Sequence, residues 1–142
     1  MSFPLAVIDT NVIVSGLIAK DPDSPVCRIL DLMLAGSLRF ALSPALLAEY
    51  RSVALRPRIQ RLHGLDVTEV ERILRKLAVN AIWREPATAR CAPDPGDDHL
   101  WALLGAGTGL VLVTGDRLLL ENPPASGSVL SPRSFLELIT VR

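Results

Sequence analysis

Two apolar stretches of the chain each lead to an aspartate. The first is PLAVI at residues 4–8, followed by Asp9, and the second is LVLV at residues 110–113, followed by TGD with Asp116. Short β-branched runs without polar alternation are typical of strands that are buried on both faces, as in parallel sheets. We therefore predict two buried strands, the first of them central in its sheet, with acidic side chains at their carboxyl ends.

The segments between these strands carry the apolar spacing and the end signals of helices. Ser24 and Pro25 are an N-cap and a first helical residue ahead of an apolar stripe that stops at Gly36. Ser43 and Pro44 repeat this start before ALLAEYRSVAL. Other helices are predicted in VTEVERILRKLAV, where Thr68 and Glu71 have capping-box spacing, in DDHLWALLGAG as far as Gly105 and Gly107, and after the cap Ser131 in SPRSFLELI.

The remaining segments complete an alternating order of strands and helices. Short strands are predicted in LRFALS, AIWRE and the VL at residues 129–130, and loops in PATARCAPDPG and ENPPASGS. Strands that alternate with helices predict an α/β fold, a three-layer α/β/α sandwich with a mainly parallel central sheet. The hydrophobic content of 49% suffices for the core of one domain over residues 1–142.

Charge and cysteine content limit the classes of function. Fifteen basic and fifteen acidic side chains give no net charge, so a polyanion must be bound by a local patch. Cys27 and Cys91 have neither zinc-ligand spacing nor a disulfide framework, which is typical of a reducing cytosol. The apolar start contains Asp9 and Asn11 and lacks a basic region, so we interpret it as mature structure. No apolar run is long enough to span a membrane, and we expect a cytoplasmic protein.

Acidic side chains recur where the predicted fold places strand ends and helix starts. Parallel α/β sheets bind ligands in the crevice at the carboxyl ends of their strands, so Asp9 and Asp116 are expected to meet there. Glu49, the lone acid in ALLAEY, and the pair Asp97 and Asp98 at a helix start add to the group. Carboxylates so close repel one another unless a cation is bound. Oxygen ligands without sulfur or clustered imidazole favour one or two Mg²⁺ or Mn²⁺ ions, which predicts phosphoryl chemistry.

Each of these acids, taken singly, also has a structural explanation as a helix cap, a turn residue or a solvated helix position. The metal-site hypothesis therefore rests on their joint placement at strand ends and helix starts. Polar neighbours that we expect to orient the ligands rather than to bind an ion are Thr10, Asn11 and Thr114.

The chain resembles PIN-domain proteins, and in particular the VapC-type toxins of prokaryotic toxin-antitoxin pairs. The motifs that carry the resemblance, in the family's order, are VIDTNVIVSGL, LSPALLAEY, DPGDDHLWALLGAG, LVLVTGDRLLL and the closing VLSPRSFLEL. The resemblance implies a metal-dependent endoribonuclease in which Asp9, Glu49, Asp97 and Asp116 hold Mg²⁺ or Mn²⁺ and activate a water to attack an RNA phosphodiester. It also implies a homodimer and, for a toxin, an antitoxin protein that blocks the activity.

One motif departs from the family pattern. Relatives often carry DPDD where this chain has DPGDD, so either Asp97 or Asp98 is the third acidic ligand. Leu100, Trp101 and Leu104 lie three, four and seven residues after Asp97, which puts Asp97 on the inward face of the predicted helix. We therefore expect Asp97 to bind the ion and Asp98 to influence the site through its charge.

An arginine-rich segment follows Glu49 directly and is a candidate groove for RNA phosphates. We expect surface or structural roles for the histidines, since His63 falls in this basic loop and His99 lies beside Asp98. The apolar helices at residues 24–35 and 66–79 are candidate dimer or antitoxin surfaces, with core packing as the alternative use of their stripes. The candidate RNA contacts are Arg51, Arg56, Arg58 and Arg61.

Other functions stay open at this point. An aspartyl-phosphate phosphatase also has an Asp after its first strand, but it needs a second acid two residues later, where this chain has Asn11. A non-catalytic PIN-like domain that binds RNA or a partner would not need crowded carboxylates, which cost stability. A housekeeping RNA-processing nuclease would have the same site as a toxin, and the sequence does not distinguish these two.

Overall fold

A row of short parallel strands forms the centre of the computed structural model, which describes residues 4–84, 95–104, 109–124 and 128–140. The strands are β1 (Ala6–Ile8), β2 (Ala41–Leu42), β3 (Ile82–Trp83), β4 (Val111–Val113) and β5 (Ser128–Leu130). The helices are α1 (Thr10–Ile18), α2 (Pro25–Leu34), α3 (Pro44–Ala54), α4 (Pro57–His63), α5 (Val67–Asn80), α6 (Asp98–Leu104), α7 (Arg117–Glu121) and α8 (Pro132–Thr140). A 3₁₀ turn at Pro95–Asp97 precedes α6.

β1 lies between the other strands, as predicted. It pairs in parallel with β4, which pairs in parallel with β5. On its other side, Ala6 forms a parallel bridge with Phe40 just before β2, and β2 pairs in parallel with β3. The described strands therefore follow the order β3, β2, β1, β4, β5. From β1 the chain runs through β2 to β3 at one edge, and it then returns to the other side of β1 at β4. The carboxyl ends of β1 and β4 therefore flank a topological switch point, where open parallel sheets form a crevice.

Helices cover this row of strands and bury its apolar side chains. Because crossover connections are right-handed, those that run from β1 to β2 and from β4 to β5 place their helices on opposite faces of the sheet. The strands β1 and β4 are buried along their whole length. The apolar stripes of α2 and α5 also enter the core, through Ile29, Leu30 and Met33 in α2 and Val70, Leu74 and Leu77 in α5. The predicted α/β fold with a parallel central sheet is confirmed.

Serine caps start the helices where the sequence predicts them. The Oγ atoms of Ser24, Ser43 and Ser131 accept hydrogen bonds from the backbone N–H three residues later, at 3.4, 3.2 and 3.1 Å. A proline follows each serine and begins α2, α3 or α8. Gly36, with a φ of 72°, adopts the left-handed conformation after α2 and confirms the predicted stop.

α5 begins at Val67, the first residue of the predicted segment, but the capping box predicted at Thr68 and Glu71 was wrong by two residues. Asp66 is the N-cap, and its side chain accepts a hydrogen bond from the Glu69 backbone N–H at 2.8 Å. The Glu69 carboxylate accepts from the Asp66 backbone N–H at 3.3 Å and completes the capping box. Thr68 and Glu71 have the same spacing, but Glu71 is bound by Arg51 of α3 and does not reach back to a cap.

Several helices were not predicted from the sequence. α1 begins at Thr10 directly after β1, and α7 begins one residue after Asp116. α4 occupies the segment expected to be a basic loop, and His63 is its last residue. α1 and α7 each begin directly after an aspartate that the apolar pattern assigns to the end of a strand. Cys91, Gly105 and Gly107 and most of the loop predicted at residues 86–96 lie outside the described residues.

None of the helices within the described ranges combines the length and the apolar character that crossing a membrane requires.

Candidate active site

Asp9 lies at the junction of β1 and α1 and is only 5% exposed. Its backbone N–H donates to the Val113 carbonyl at 2.9 Å and extends the pairing of β1 with β4. Oδ1 accepts from the Thr10 backbone N–H at 2.7 Å, so the residue that ends the strand also caps the helix. Oδ2 accepts from Asn11 Nδ2 at 2.9 Å and from Thr114 Oγ1 at 2.7 Å.

Burial is the largest influence on the ionisation of Asp9 and raises its pKa above the usual value. The hydrogen bonds from Thr114 and Thr10 lower this pKa, whereas the negative charges of Glu49 and Asp116 raise it further. The net direction is upward. Burial therefore destabilises the ionised form of Asp9, and a cation in the crevice would offset this destabilisation.

A hydrogen-bond network joins Asp9 to Asp116 across the switch point. Thr114 Oγ1, which donates to Asp9, accepts from the Asp116 backbone N–H at 3.0 Å and from Asn11 Nδ2 at 3.2 Å. Asn11 Oδ1 accepts from the Gly115 backbone N–H at 3.0 Å. The side chains of Asn11 and Thr114 thus tie the start of α1 to the turn before α7. This network sets the positions of both aspartates relative to each other.

Glu49 reaches the same crevice from the middle of α3. Thr10 Oγ1 donates a hydrogen bond to Oε1 of Glu49, and His99 Nε2 lies 3.0 Å from Oε2. The Glu49 side chain is 33% exposed. Both carboxylate oxygens are engaged, by residues from two other helices.

The neighbouring Tyr50 fastens α3 to the central strand. Its side chain is fully buried, and its hydroxyl donates a hydrogen bond to the Ile8 carbonyl. Burial, followed by the negative charges of Asp9 and Glu49, raises the pKa of Tyr50 well above its usual range. The hydroxyl is therefore a permanent donor that holds Glu49 beside the end of β1.

The crevice brings together acids from four separate parts of the chain. Asp97 lies in the 3₁₀ turn ahead of α6 and lines the crevice, whereas Asp98, the first residue of α6, is not among the lining residues. The predicted helix placed Asp97 in its first turn, whereas in the structure Asp97 ends the 3₁₀ turn directly before α6. The lining residues are Asp9, Thr10, Asn11, Val14, Ser15, Glu49, Val53, Asp97 and Asp116.

The donor chemistry of this crevice fits a hard divalent cation. Among the described residues, its lining contains carboxylate, hydroxyl and amide oxygens and neither a cationic side chain nor a sulfur atom. Within the described residues, however, no three Asp, Glu, His or Cys side chains are grouped tightly enough to chelate an ion as they stand. Carboxylates without a counter-ion repel each other, so a tight arrangement of ligands is not expected in the absence of an ion. The observation that fits Mg²⁺ or Mn²⁺ is the set of oxygen donors that lines the crevice.

The predicted RNA-binding arginines fall into two groups. Arg51 forms an ion pair with Glu71 of α5, through Nε–Oε1 at 2.8 Å and Nη2–Oε2 at 3.2 Å, and this contact offsets its charge. Arg56, Arg58 and Arg61 are exposed at the start of α4 and along it. α4 packs against α1 and α3.

The start of α4 lies beside the crevice. The Arg56 backbone N–H donates to the carbonyl of Val53 at 3.2 Å, and Val53 is one of the lining residues. The exposed arginines of α4 therefore begin at the rim of the site that contains the acids.

The histidines have different environments, which the sequence did not distinguish. His63 contacts backbone atoms at the end of α4, with Nε2 2.9 Å from the Ala54 carbonyl and Nδ1 accepting from the Leu65 N–H at 3.0 Å. This is the structural role expected for it. His99 instead contacts Glu49, which lines the crevice, although His99 is not itself a lining residue. The available signal was its position two residues after Asp97 at a helix start.

Comparison with known families gives a match that covers the segments forming the crevice. The model of a family described as the PIN domain matches residues 6–118, a range that runs from β1 to the start of α7 and contains Asp9, Glu49, Asp97 and Asp116. A search of curated proteins gave no match.

Proposed function

The chain belongs to the PIN-domain family, whose members are generally nucleases of RNA, and on this premise we propose that it is a metal-dependent endoribonuclease. The observation that carries the proposal is the meeting of Asp9, Glu49, Asp97 and Asp116 in one crevice. The crevice lies at the carboxyl ends of β1 and β4, where parallel sheets bind their ligands. Acids that line the same crevice repel one another, and a bound cation would offset this repulsion.

Each part of the crevice has a role in the proposed reaction. The four acids would hold one or two ions of Mg²⁺ or Mn²⁺. Such ions polarise a phosphodiester and lower the pKa of a water that attacks it. The carboxylate of Asp9 is held in place, because its two oxygens accept hydrogen bonds from Thr10, Asn11 and Thr114. Thr114 and Asn11 orient Asp9 and the Asp116 turn, and the hydroxyl of Thr10 restrains Glu49.

The arginines of α4 are the proposed contacts for RNA phosphates. Arg56 begins at the crevice rim, and Arg58 and Arg61 continue along the exposed helix. Phosphate contacts of this kind position the backbone without reading the bases. Arg51 is a weaker candidate because Glu71 already binds its guanidinium.

RNA cleavage by the purified chain tests the proposal. We expect a mixed RNA substrate to be cut with Mg²⁺ or Mn²⁺ and left intact with EDTA. Asp9→Asn should abolish cleavage, because asparagine keeps the helix cap but removes the charge that binds the ion. Asp31→Asn is the matched control, since Asp31 is exposed on α2 and does not line the crevice. Cleavage that persists in EDTA, or in Asp9→Asn, would contradict the proposed mechanism.

We also propose that the nuclease is a toxin held inactive by an antitoxin and that it forms a homodimer. The support is the resemblance of its motifs to VapC-type toxins. Expression of the chain should arrest growth, and co-expression of the neighbouring gene should relieve the arrest. Normal growth with an active nuclease would favour housekeeping RNA processing instead. Light scattering on the purified chain measures the dimer.

A further inference from the structure

The carboxylate of Glu49 is held from both sides. Thr10 Oγ1 donates to one oxygen and His99 Nε2 lies 3.0 Å from the other. Because a carboxylate only accepts hydrogen bonds, the contact assigns a proton to Nε2 of His99. The Nδ1 atom of the same ring is buried and has no hydrogen-bond partner among the described residues. The contact with Glu49 is thus the polar interaction that orients this imidazole in the described part of the chain.

Glu49 needs such support more than the aspartates do. Asp9 and Asp116 have short side chains, and each caps the helix that follows it. Glu49 has a longer side chain on α3, is 33% exposed and caps no helix. A free glutamate samples many rotamers, and ordering it on an ion costs conformational entropy. Hydrogen bonds that order it beforehand reduce this cost.

We propose that His99 is a positioning residue that fixes Glu49 for the divalent ion. The inference rests on the proposed function, since it concerns the same crevice. His99 begins α6 together with Asp98 and lies two residues after Asp97, so its contact with Glu49 also ties the Asp97 turn to α3. The imidazole therefore links two proposed ligands that belong to different elements.

The affinity for Mn²⁺, measured by calorimetry on the full chain, tests this role. Hydrogen-bond partners of metal ligands typically contribute 10- to 100-fold to metal affinity, so we expect His99→Ala to weaken binding by about that factor. His99→Gln should restore most of the affinity, because its amide nitrogen can donate from a position close to that of Nε2. His63→Ala is the matched control, since His63 contacts backbone atoms outside the crevice, and its dissociation constant should equal that of the wild type.

The outcomes separate this inference from the function on which it rests. Unchanged Mn²⁺ affinity in His99→Ala would overturn the positioning role. So would a His99→Gln variant that is folded by circular dichroism yet binds Mn²⁺ as weakly as His99→Ala. A wild-type chain that binds no Mn²⁺ would overturn the metal-dependent function, and the positioning role with it.

Discussion

The hydroxyl of Thr114 donates a hydrogen bond to Oδ2 of Asp9 over 2.7 Å, although the residues lie 105 positions apart in the chain. Thr114 is fully buried at the end of β4, and Asp9 is nearly so at the end of β1. The bond connects the ends of β1 and β4 at the switch point of the sheet, and the same hydroxyl accepts a hydrogen bond from the backbone N–H of Asp116. The positions of both aspartates therefore depend on one threonine side chain.

Replacement of this hydroxyl gives a first prediction. Thr114→Val keeps the shape but removes one hydrogen bond to Asp9 Oδ2, which retains its bond from Asn11, and it removes the acceptor of the Asp116 backbone N–H. We therefore expect the free energy of unfolding to fall by about 1–3 kcal/mol. Urea denaturation measures the loss. Thr114→Ser retains the hydroxyl and should lose clearly less. Equal stabilities of the valine and serine variants would show that the hydrogen bonds do not matter.

A second prediction concerns the pH dependence of stability without metal. The pKa of Asp9 is raised by burial, so the folded state binds this proton more tightly than the unfolded state. In the pH range between the unfolded pKa and the raised folded pKa, the contribution of Asp9 to stability therefore falls as the pH increases. In EDTA, the wild type should gain stability relative to Asp9→Asn as the pH is lowered through this range. A difference that stays constant, or changes in the opposite direction, would contradict the effect of burial.

At neutral pH, divalent ions should offset the loss of stability that results from burying the charge of Asp9. Binding to the folded state alone adds about 2.7 kcal/mol of stability at an ion concentration about 100 times the dissociation constant. We expect Mn²⁺ to raise the melting temperature of the wild type and of Asp31→Asn, and to leave that of Asp9→Asn unchanged. Equal increases in all three proteins would indicate binding outside the crevice.

The third acidic ligand can be identified by comparing neighbouring variants. Asp97 lines the crevice together with Asp9, whereas Asp98 is the first residue of α6 and does not line it. We expect Asp97→Asn to weaken Mn²⁺ binding strongly and Asp98→Asn to weaken it slightly, through loss of a nearby charge. Calorimetric titration of both variants measures the order, and the opposite order would assign the role to Asp98.

The salt dependence of RNA binding tests the arginines of α4. For single strands, each phosphate contact contributes about 0.7 to the slope of log K against log salt. Arg56→Ala and Arg58→Ala should each reduce this slope, measured with Asp9→Asn so that the RNA is not cut. Arg51→Ala should leave the slope nearly unchanged, because its partner is Glu71. A larger effect of Arg51 than of Arg56 would place the RNA on the other side of α3.

Much of the local structure was predictable because its signals are local. The apolar runs before Asp9 and Asp116 are strands, and the pairs Ser24-Pro25 and Ser43-Pro44 begin helices, since a cap and the residues that it satisfies are neighbours in the chain. The acids of the crevice were also visible as candidates, because acids that follow apolar strands are conspicuous in any sequence.

What the tertiary structure alone decided is which distant groups meet. Spacing permits a capping box at both Asp66 and Thr68; the structure forms the one at Asp66, and Glu71 pairs instead with Arg51, 20 residues earlier. The contact of His99 with Glu49 spans 50 residues and that of Thr114 with Asp9 spans 105. Such contacts depend on the order of strands in the sheet and on the packing of helices against each other. Local pattern determines the elements and their ends, whereas burial of the whole chain determines their neighbours.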